Sequence, residues 1–244
     1  MERRRRQGQV AADIRSRRAG GRLGRSAASP PVAAVVRVRT VAAIRLPIFP
    51  LPGAILFPGL QLPLHIFEPR YRALVGSALA KDRRIAMIQP QSAEEGAPLF
   101  AIGCVGKIGE VEALDDGRYN IVLEGESRFR MLREIDAATP FRQIEAELIH
   151  ETDDEVLSSA ERASFEREAR DFADRQGYSV DWDSVERLDD VLLINGVSQI
   201  APFDLAAKQA LLEAGDLRER CELLVQLMQF FGRSDPDESQ VTLQ

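Results

Sequence analysis

The spacing of hydrophobic positions changes near residue 150 of this 244-residue chain. Between residues 46 and 149 the apolar side chains fall in short runs, and Tyr119, Ile121 and Leu123 alternate with other positions, as on one face of a β-strand. From Ser158 onward the apolar residues recur three and four positions apart, which is the period of an amphipathic helix. The pattern predicts an α+β fold with a β-rich first part and a helical second part.

Turn signals divide the first part into several short strands. Asp116 and Gly117 lie between two strand-like segments, and an Asp-Gly pair favours a hairpin because glycine adopts a positive φ without strain. Short strands separated in this way predict an antiparallel barrel or sandwich. One helix interrupts them over residues 69–81, with Pro69 in its first turn. The predicted strand segments are residues 55–57, 61–64, 65–67, 85–88, 100–108, 111–114, 119–124, 129–135 and 141–149.

Four helices are predicted in the second part. The first opens with the capping-box spacing of Ser158 and Glu161 and ends at Gly177. The second covers residues 184–195 and is predicted to end at Gly196. The third and fourth cover residues 205–214 and 216–231. The final helix has a broad apolar face, which predicts partners on two sides. That face consists of Leu217, Cys221, Leu224, Met228 and Phe231, widened by Leu223, Leu227 and Phe230.

Residues 46–75 form the segment LPIFPLPGAILFPGLQLPLHIFEPRYRALV, which is strongly apolar and rich in proline. Proline cannot donate a backbone hydrogen bond, so within sheets it is confined to strand starts, edges and bends. The structural interpretation is that the apolar residues form the core of a small barrel while the prolines shape its edges and deter wrong pairing. The functional alternative is a groove that takes extended hydrophobic segments of client proteins, by strand addition or through side-chain pockets.

Charge is distributed unevenly along the chain. The first 45 residues carry twelve arginines against Glu2 and Asp13, a net charge of +10, whereas the remainder carries 20 basic and 36 acidic residues, a net charge of −16. Three interpretations of the arginine-rich start stay open: a disordered extension or start-site artefact, a targeting peptide, and a basic arm for nucleic acid or anionic lipid. The expected boundaries are an Arg-rich extension or artefact over 1–42, a β-rich part over 43–150, a helical part over 151–232 and a flexible tail over 233–244.

Residue types that catalysis or metal binding would need do not occur in suitable patterns. The one Gly-Lys pair, Gly106-Lys107, lacks the first glycine and the final hydroxyl residue of a phosphate loop. The two histidines and the two cysteines, Cys104 and Cys221, lack metal-ligand spacing. Two isolated cysteines predict buried thiols and a reducing, cytoplasmic location. We therefore expect no catalytic residues, no cofactor, no metal and no contact with a membrane.

Several segments together carry a resemblance to a known family. They are the proline-rich run, the G-x-V-G-x-I string at 103–108, DGRYNIVLEGESRFRMLREI at 116–135 and DLAAKQALLEAGDLRERCELLVQLM at 204–228. From about Leu46 to Phe231 the chain resembles the amino-terminal, substrate-binding domain of Lon-type ATP-dependent proteases, here as a free-standing protein. The resemblance implies a β-rich, PUA-like pseudo-barrel followed by an α-helical bundle. It also implies a role in holding polypeptide substrates rather than cutting them. The residues themselves contain neither the ATPase phosphate loop nor a segment that resembles the Ser/Lys peptidase of Lon proteases.

Two hypotheses of different classes follow from the sequence. The leading one is a non-catalytic protein-binding module that holds unfolded or tagged polypeptides, or that acts as an adaptor to a protease or chaperone. The alternative is a nucleic-acid or other ligand-binding pseudo-barrel protein, which the arginine-rich start supports. The net charge of −16 on the remainder opposes the alternative, because a negative surface repels phosphate.

The candidate polypeptide-binding residues are Phe67, Glu68, Arg70 and Tyr71, at the start of the helix that follows the apolar run. Phe67 and Tyr71 are the candidate anchors, because aromatic side chains bury much area at little rotamer cost. Tyr71 is expected to be the cleaner of the two to mutate, because the alternative for Phe67 is a place in the core, where its loss could unfold the barrel. The structural alternative is that Glu68 and Arg70 form ion pairs that fix the helix onto the sheet. His65 is interpreted as a packed, hydrogen-bonded histidine rather than a base.

Overall fold

The computed structural model of the protein describes residues 43–94, 96–149 and 156–232. The predictions for residues 1–42 and 233–244 lie outside the described residues. The strands in the described ranges are β1 (Ile44–Pro50), β2 (Gln61–Ile66), β3 (Arg84–Ile88), β4 (Ile102–Ala113), β5 (Tyr119–Ile135) and β6 (Gln143–Leu148). The helices are α1 (Pro69–Leu79), α2 (Ser159–Gln176), α3 (Trp182–Val185), α4 (Asp190–Ile200), α5 (Leu205–Glu213) and α6 (Leu217–Phe231).

Five of the strands close into a barrel. β1 pairs with β3 in parallel, and antiparallel pairings of β3 with β4, β4 with β5, β5 with β6 and β6 with β1 complete the ring. β5 is 17 residues long and serves two partners on one edge, with residues 119–124 paired to β2 and residues 129–135 paired to β6. The ring confirms the barrel, one of the two predicted architectures, but the parallel pairing of β1 with β3 departs from the predicted all-antiparallel arrangement. It also leaves β2 outside the ring, as an edge strand.

The middle of the proline-rich run links two hydrophobic cores. Ile55, Leu56 and Phe57 are all buried, but they form no strand. Successive side chains of an extended chain point in opposite directions, so Leu56 enters the barrel core while Ile55 and Phe57 enter the core of the helices. The backbone N–H of Phe57 donates to the side chain of Gln199 in α4 at 3.2 Å. The predicted strand at residues 55–57 is therefore wrong, because this segment packs against helices instead of pairing with another strand.

Local capping signals define the start of the helical half. Ser158 and Glu161 form the predicted capping box, and Gly177 ends α2 in the left-handed conformation with φ of 71°. The predicted helix over residues 184–195 is wrong, because Gly196 lies inside α4 and the segment is split into α3 and α4. The cause is a pair of N-caps: Asp181 and Asp189 each accept a backbone N–H three residues ahead, which starts a helix at each position.

The last helix, α6, buries most of the predicted face. Its buried positions include Leu217, Cys221, Leu224 and Met228, in agreement with the three- and four-residue spacing. Phe230 is 67% exposed, so its assignment to the packed face is wrong. The helical core is covered on that side by Phe231, which is partly buried and stacks on Phe203 with ring centroids 5.2 Å apart.

Buried polar side chains join the barrel to the helices. Arg128 of β5 is 3% exposed, and its guanidinium donates to the backbone carbonyls of Leu212 at 2.8 Å and of Ala214. Gln209 of α5 donates to the carbonyl of Ile102 in β4 at 3.1 Å. A buried cation is costly unless it is hydrogen-bonded. Any arrangement of the two halves that broke the bonds from Arg128 would leave its charge buried without partners, so these bonds favour one arrangement. The described parts of both halves belong to one unit.

Candidate polypeptide-binding site

The free edge of the sheet is the side of β2 that faces away from β5. The carbonyl of Leu60 accepts a hydrogen bond from β5, whereas the carbonyl of Gln61 accepts one from the side chain of Gln199, at 2.9 Å. Backbone groups alternate sides along a strand, so those of Gln61, Pro63 and His65 point away from β5. Because the backbone of Pro63 faces away from β5, its missing N–H does not remove a hydrogen bond between the two strands. His65 directs its N–H and C=O toward the open side.

The outer face of β2, β5 and β4 forms a shallow groove of about 480 Å³. His65, Asn120 and Glu112 lie side by side across its three strands. Asn120 donates to Glu112 at 2.7 Å and accepts from Nδ1 of His65 at 2.7 Å. Nε2 of His65 therefore accepts from Arg118, at 3.2 Å. The interpretation of His65 as hydrogen-bonded is confirmed, but its packing into the core is wrong, because odd-numbered positions of β2 face solvent.

Phe67 stands next to this groove. It follows the outward alternation of Pro63 and His65, and its side chain is 60% exposed. Its ring stacks on that of His65, with centroids 6.2 Å apart and an angle of 27° between the planes. This exposure rules out the alternative in which Phe67 belongs to the core. An aromatic ring of this exposure would gain hydrophobic free energy under a bound apolar segment.

Tyr71 is placed differently from Phe67. It is 9% exposed and packs edge to face on Phe49, with ring centroids 4.2 Å apart. The guanidinium of Arg70 lies 4.8 Å from the Tyr71 ring centroid and donates to Glu68 at 2.9 Å. Arg70 and Tyr71 line a second depression, of about 480 Å³, which does not include Phe67. Phe67 is consequently the cleaner residue to mutate, and the expectation that favoured Tyr71 is reversed.

Sequence reasoning missed Asn120 and Arg118 as partners of His65. The signal was present in part, since the Asp116–Gly117 hairpin predicts that Tyr119 begins a strand and that Asn120 faces the side opposite to Tyr119. The pairing of β2 with β5 joins residues 55 positions apart, and no local pattern specifies it.

Other site chemistries find little support in the described ranges. No cluster of three or more His, Cys, Asp or Glu side chains there could hold a metal ion. None of the described helices is both long enough and apolar enough to cross a membrane. The thiols of Cys104 and Cys221 are buried, as predicted. Burial, together with the nearby carboxylates of Glu161 and Glu222, raises the pKa of Cys221 to about 11, so this thiol is protonated and a poor nucleophile at neutral pH.

Residues 45–229 match the family model of the ATP-dependent protease La (LON) substrate-binding domain. The chain belongs to this family. The Lon protease of Escherichia coli (strain K12) is 26% identical over 195 residues, which cover 76% of this chain and 25% of that protein. Lon protease 1 of Syntrophobacter fumaroxidans is 27% identical over 194 residues, which cover 75% and 23%. This Lon-family chain thus spans about a quarter of the length of the curated relatives that it matches.

Two solved structures share the fold. The N-terminal domain of the Mycobacterium avium complex Lon protease gives a TM-score of 0.58 at 21% identity and covers 76% of this chain and 98% of that chain. The Lon N-terminal domain protein from Xanthomonas campestris gives a TM-score of 0.58 at 21% identity, with coverages of 75% and 98%. These similarities confirm the α+β fold predicted from the sequence.

Proposed function

We propose that this Lon-family chain is a non-catalytic module that holds unfolded or tagged polypeptides, or that presents them to a protease or chaperone as an adaptor. The observation that carries the proposal is the exposure of Phe67 beside the open edge of β2. Membership of a substrate-binding domain family supports it. The failure of the phosphate-loop pattern at Gly106-Lys107 supports a role without ATP hydrolysis. A cytoplasmic location stays a prediction.

The geometry of β2 favours an extended client segment. His65 offers one backbone donor and one acceptor on the open side, and Pro63 offers an acceptor only. Strand addition is therefore short, and much of the affinity has to come from side-chain contact with Phe67. Because few backbone hydrogen bonds can form, we expect binding to be weak. Because burial of apolar area changes little with ionic strength, we expect it to be largely insensitive to salt.

The residues after Phe67 extend the proposed site toward α1. Glu68 is the N-cap of this helix, and Arg70 and Tyr71 lie in its first turn. A client segment that continues past Phe67 would meet the Glu68–Arg70 ion pair and then the depression beside Tyr71. In this arrangement Phe67 is the anchor, and the other three residues form a partly polar rim.

The test is a titration of a fluorescent, permanently unfolded polypeptide against the full chain and its Phe67→Ser variant. We expect about tenfold weaker binding for Phe67→Ser, which corresponds to the loss of one aromatic anchor. Phe230→Ser is the matched control, because Phe230 has the same side chain and is 67% exposed, but lies on α6. Equal affinities for Phe67→Ser and the parent chain, or an equal loss in Phe230→Ser, would contradict the proposed site.

The same preparation separates this function from its alternatives. Random-sequence RNA should bind poorly, and tight, salt-sensitive RNA binding without polypeptide binding would overturn the proposal. We also expect no ATP turnover and no cleavage of casein above a buffer blank. An activity that co-purifies with the chain and disappears after a point substitution in it would show that the chain is an enzyme.

A further inference from the structure

The helical half contains an apolar groove that is separate from the outer face of β2. It lies between α2 and α4, is closed on one side by residues 178–188, and has a volume of about 520 Å³. Its lining residues all belong to residues 165–228, so it shares none with the outer face of β2. We refer to it as the α2–α4 groove.

Large apolar side chains line the α2–α4 groove and remain open to solvent. Ile200, the last residue of α4, is 79% exposed, and Tyr178 is 49% exposed. Val180 and Leu188 are exposed as well. A contiguous exposed apolar surface is typical of a docking site. Because Ile200 is 79% exposed, a small molecule within the cavity would leave most of this side chain in solvent, whereas a polypeptide along the groove would cover it.

The walls of the groove restrict the conformation of its occupant. α2 and α4 bond their own backbone groups within the helix. The polar side-chain groups that line the groove are the carboxylate of Glu166, the hydroxyls of Tyr178 and Ser179, and the indole N–H of Trp182. Glu166 already accepts from Arg162 at 2.8 Å. An extended segment would bury N–H and C=O groups without partners here, which is costly. A helix satisfies its backbone internally, so the groove suits a helix that presents an apolar stripe.

Charge around the groove specifies the flanks of that helix. The closing segment and the start of α4, residues 178–190, carry five carboxylates and one arginine. The arginines on the α2 rim are occupied, since Arg170 bonds Glu186 at 3.0 Å and Arg162 bonds Asp190 at 2.6 Å. Over residues 156–232 there are 15 acidic and eight basic side chains. This negative field favours a partner whose polar positions carry Lys or Arg.

We propose that the α2–α4 groove docks an amphipathic helix of another protein, with an apolar stripe in the groove and basic residues beside the stripe. The inference goes beyond the proposed function, because it concerns a different surface and a helical rather than an extended partner. A negative result for the Phe67 site would not affect this proposal, and a negative result for the groove would not affect the Phe67 site.

The single tryptophan of the chain provides a direct readout. Trp182 lines the groove and stacks under Arg170, whose guanidinium carbon lies 4.4 Å from the ring centroid. A helix in the groove should therefore shift the Trp182 emission to shorter wavelength. The titrant is a Trp-free amphipathic peptide of about 18 residues, long enough to form a helix on binding, with leucines in the stripe and lysines beside it.

Two altered peptides test the chemistry. One replaces the lysines by glutamates, and the other keeps the lysines but carries a central proline that breaks the helix. We expect both to bind the full chain at least about tenfold more weakly than the lysine peptide. Equal binding of the glutamate peptide would overturn the charge argument, and equal binding of the proline peptide would overturn the helical one.

Substitutions in the chain locate the contact. Ile200→Ser changes an exposed lining residue of the groove, and Asp183→Lys reverses an exposed charge on the closing segment beside it. They should weaken the lysine peptide by about tenfold and several-fold, respectively. The matched controls are Leu132→Ser on β5 and Asp115→Lys in the β4–β5 turn, both exposed positions of the barrel half. These controls should not change the affinity, and Phe67→Ser should not change it either.

Three further results would each overturn the proposal. The first is an unchanged affinity in Ile200→Ser. The second is self-association of the chain that Ile200→Ser abolishes, which would make the groove an interface between copies. The third is peptide binding that occurs only after removal of residues 1–42, which would make the arginine-rich start of this chain the occupant.

Discussion

The outer face of β2 and the α2–α4 groove both expose apolar side chains, yet they suit different partners. On β2, the backbone groups of His65 point away from the sheet, and an extended segment can pair with them. In the groove, the two long walls are the helices α2 and α4, whose backbone groups already bond within each helix, so a partner along these walls has to satisfy its own backbone. The availability of backbone groups, more than hydrophobicity, therefore decides the conformation that each surface can accept.

Electrostatics separates the two surfaces as well. On the outer face of β2 the polar groups bond to one another, as in the pair of Arg118 and Asp116 at 2.6 Å. The backbone N–H of Arg118, and then its guanidinium, hold the pKa of Asp116 below its usual value. Around the groove, carboxylates outnumber basic side chains. Charges on the outer face of β2 are therefore neutralised by their neighbours, whereas the surroundings of the α2–α4 groove carry a net negative charge.

The largest expected effect concerns Arg128, which joins the barrel that carries β2 to the helices that form the α2–α4 groove. Arg128→Ala removes the guanidinium donors to the carbonyls of Leu212 and Ala214, which belong to buried residues. We expect the free energy of unfolding to fall by about 3 kcal/mol, and Tm by about 10 °C. Thermal and urea denaturation followed by circular dichroism would measure this.

Arg130→Ala is the control for Arg128→Ala, because Arg130 is exposed two positions along the same strand. Its loss should change the free energy of unfolding by less than about 0.5 kcal/mol. If both variants lose the same stability, the hydrogen bonds from Arg128 to the helices contribute no stability of their own.

A change of ionic strength should distinguish the two surfaces. Raising the salt concentration from about 0.1 M to about 1 M shortens the screening length from about 10 Å to about 3 Å. We expect the lysine peptide to bind the α2–α4 groove about tenfold more weakly at the higher salt concentration, and the unfolded polypeptide to change less than about twofold. Parallel titrations by Trp182 fluorescence and by anisotropy would test this. Equal salt dependence of the two ligands would remove the electrostatic distinction.

A smaller effect is expected at the start of α2, the helix that forms one wall of the groove. Ser158 accepts from the Glu161 N–H at 3.2 Å, and the Glu161 carboxylate accepts from the Ser158 N–H at 2.7 Å. Ser158→Ala should cost about 1 kcal/mol of stability, measured by urea denaturation. The neighbouring Ser159→Ala, at an exposed position that takes no part in the capping box, is the control and should be nearly neutral.

The capping box also predicts a pH dependence. Hydrogen bonds from the Ser158 side chain and backbone lower the pKa of Glu161. A carboxyl group with a lowered pKa in the folded state stabilises the fold above its unfolded pKa of about 4.3, and this contribution is lost as pH falls through the folded pKa. The stability difference between the parent chain and Ser158→Ala should therefore be largest near neutral pH and shrink on acidification. A difference that stays constant to pH 2 would show that Glu161 takes no part.

The smallest effect is expected from removal of residues 1–40. The segment has no amphipathic period and is rich in arginine, so the sequence predicts that it does not contribute to the folded core. A chain that begins at Val41 should melt within about 1 °C of the full chain. A drop of about 3 °C or more, which corresponds to about 1 kcal/mol for a domain of this size, would show that the segment packs.

The sequence by itself determined the features that depend on neighbours a few positions apart. These include the capping box of Ser158 and Glu161, the left-handed end of α2 at Gly177, and the start of α1 at Pro69. They were predictable because the interacting groups belong to one turn of chain, so their geometry follows from residue type and spacing. The change from strand-like to helix-like periodicity near residue 150 belongs to the same class.

Only the tertiary structure decided which side chains of the proline-rich run are covered. Phe57 is fully buried because helices from the second half of the chain pack on it, whereas Phe67 is exposed because it lies on the outer face of the edge strand β2. The two phenylalanines have similar neighbours in the sequence, since each lies in a short apolar stretch that ends near a proline. The candidate site stays a prediction: sequence reasoning named Phe67 as an anchor, but its exposure follows from the pairing of β2 with β5 across 55 positions. The α2–α4 groove has the same origin, because it exists only where separate helices meet.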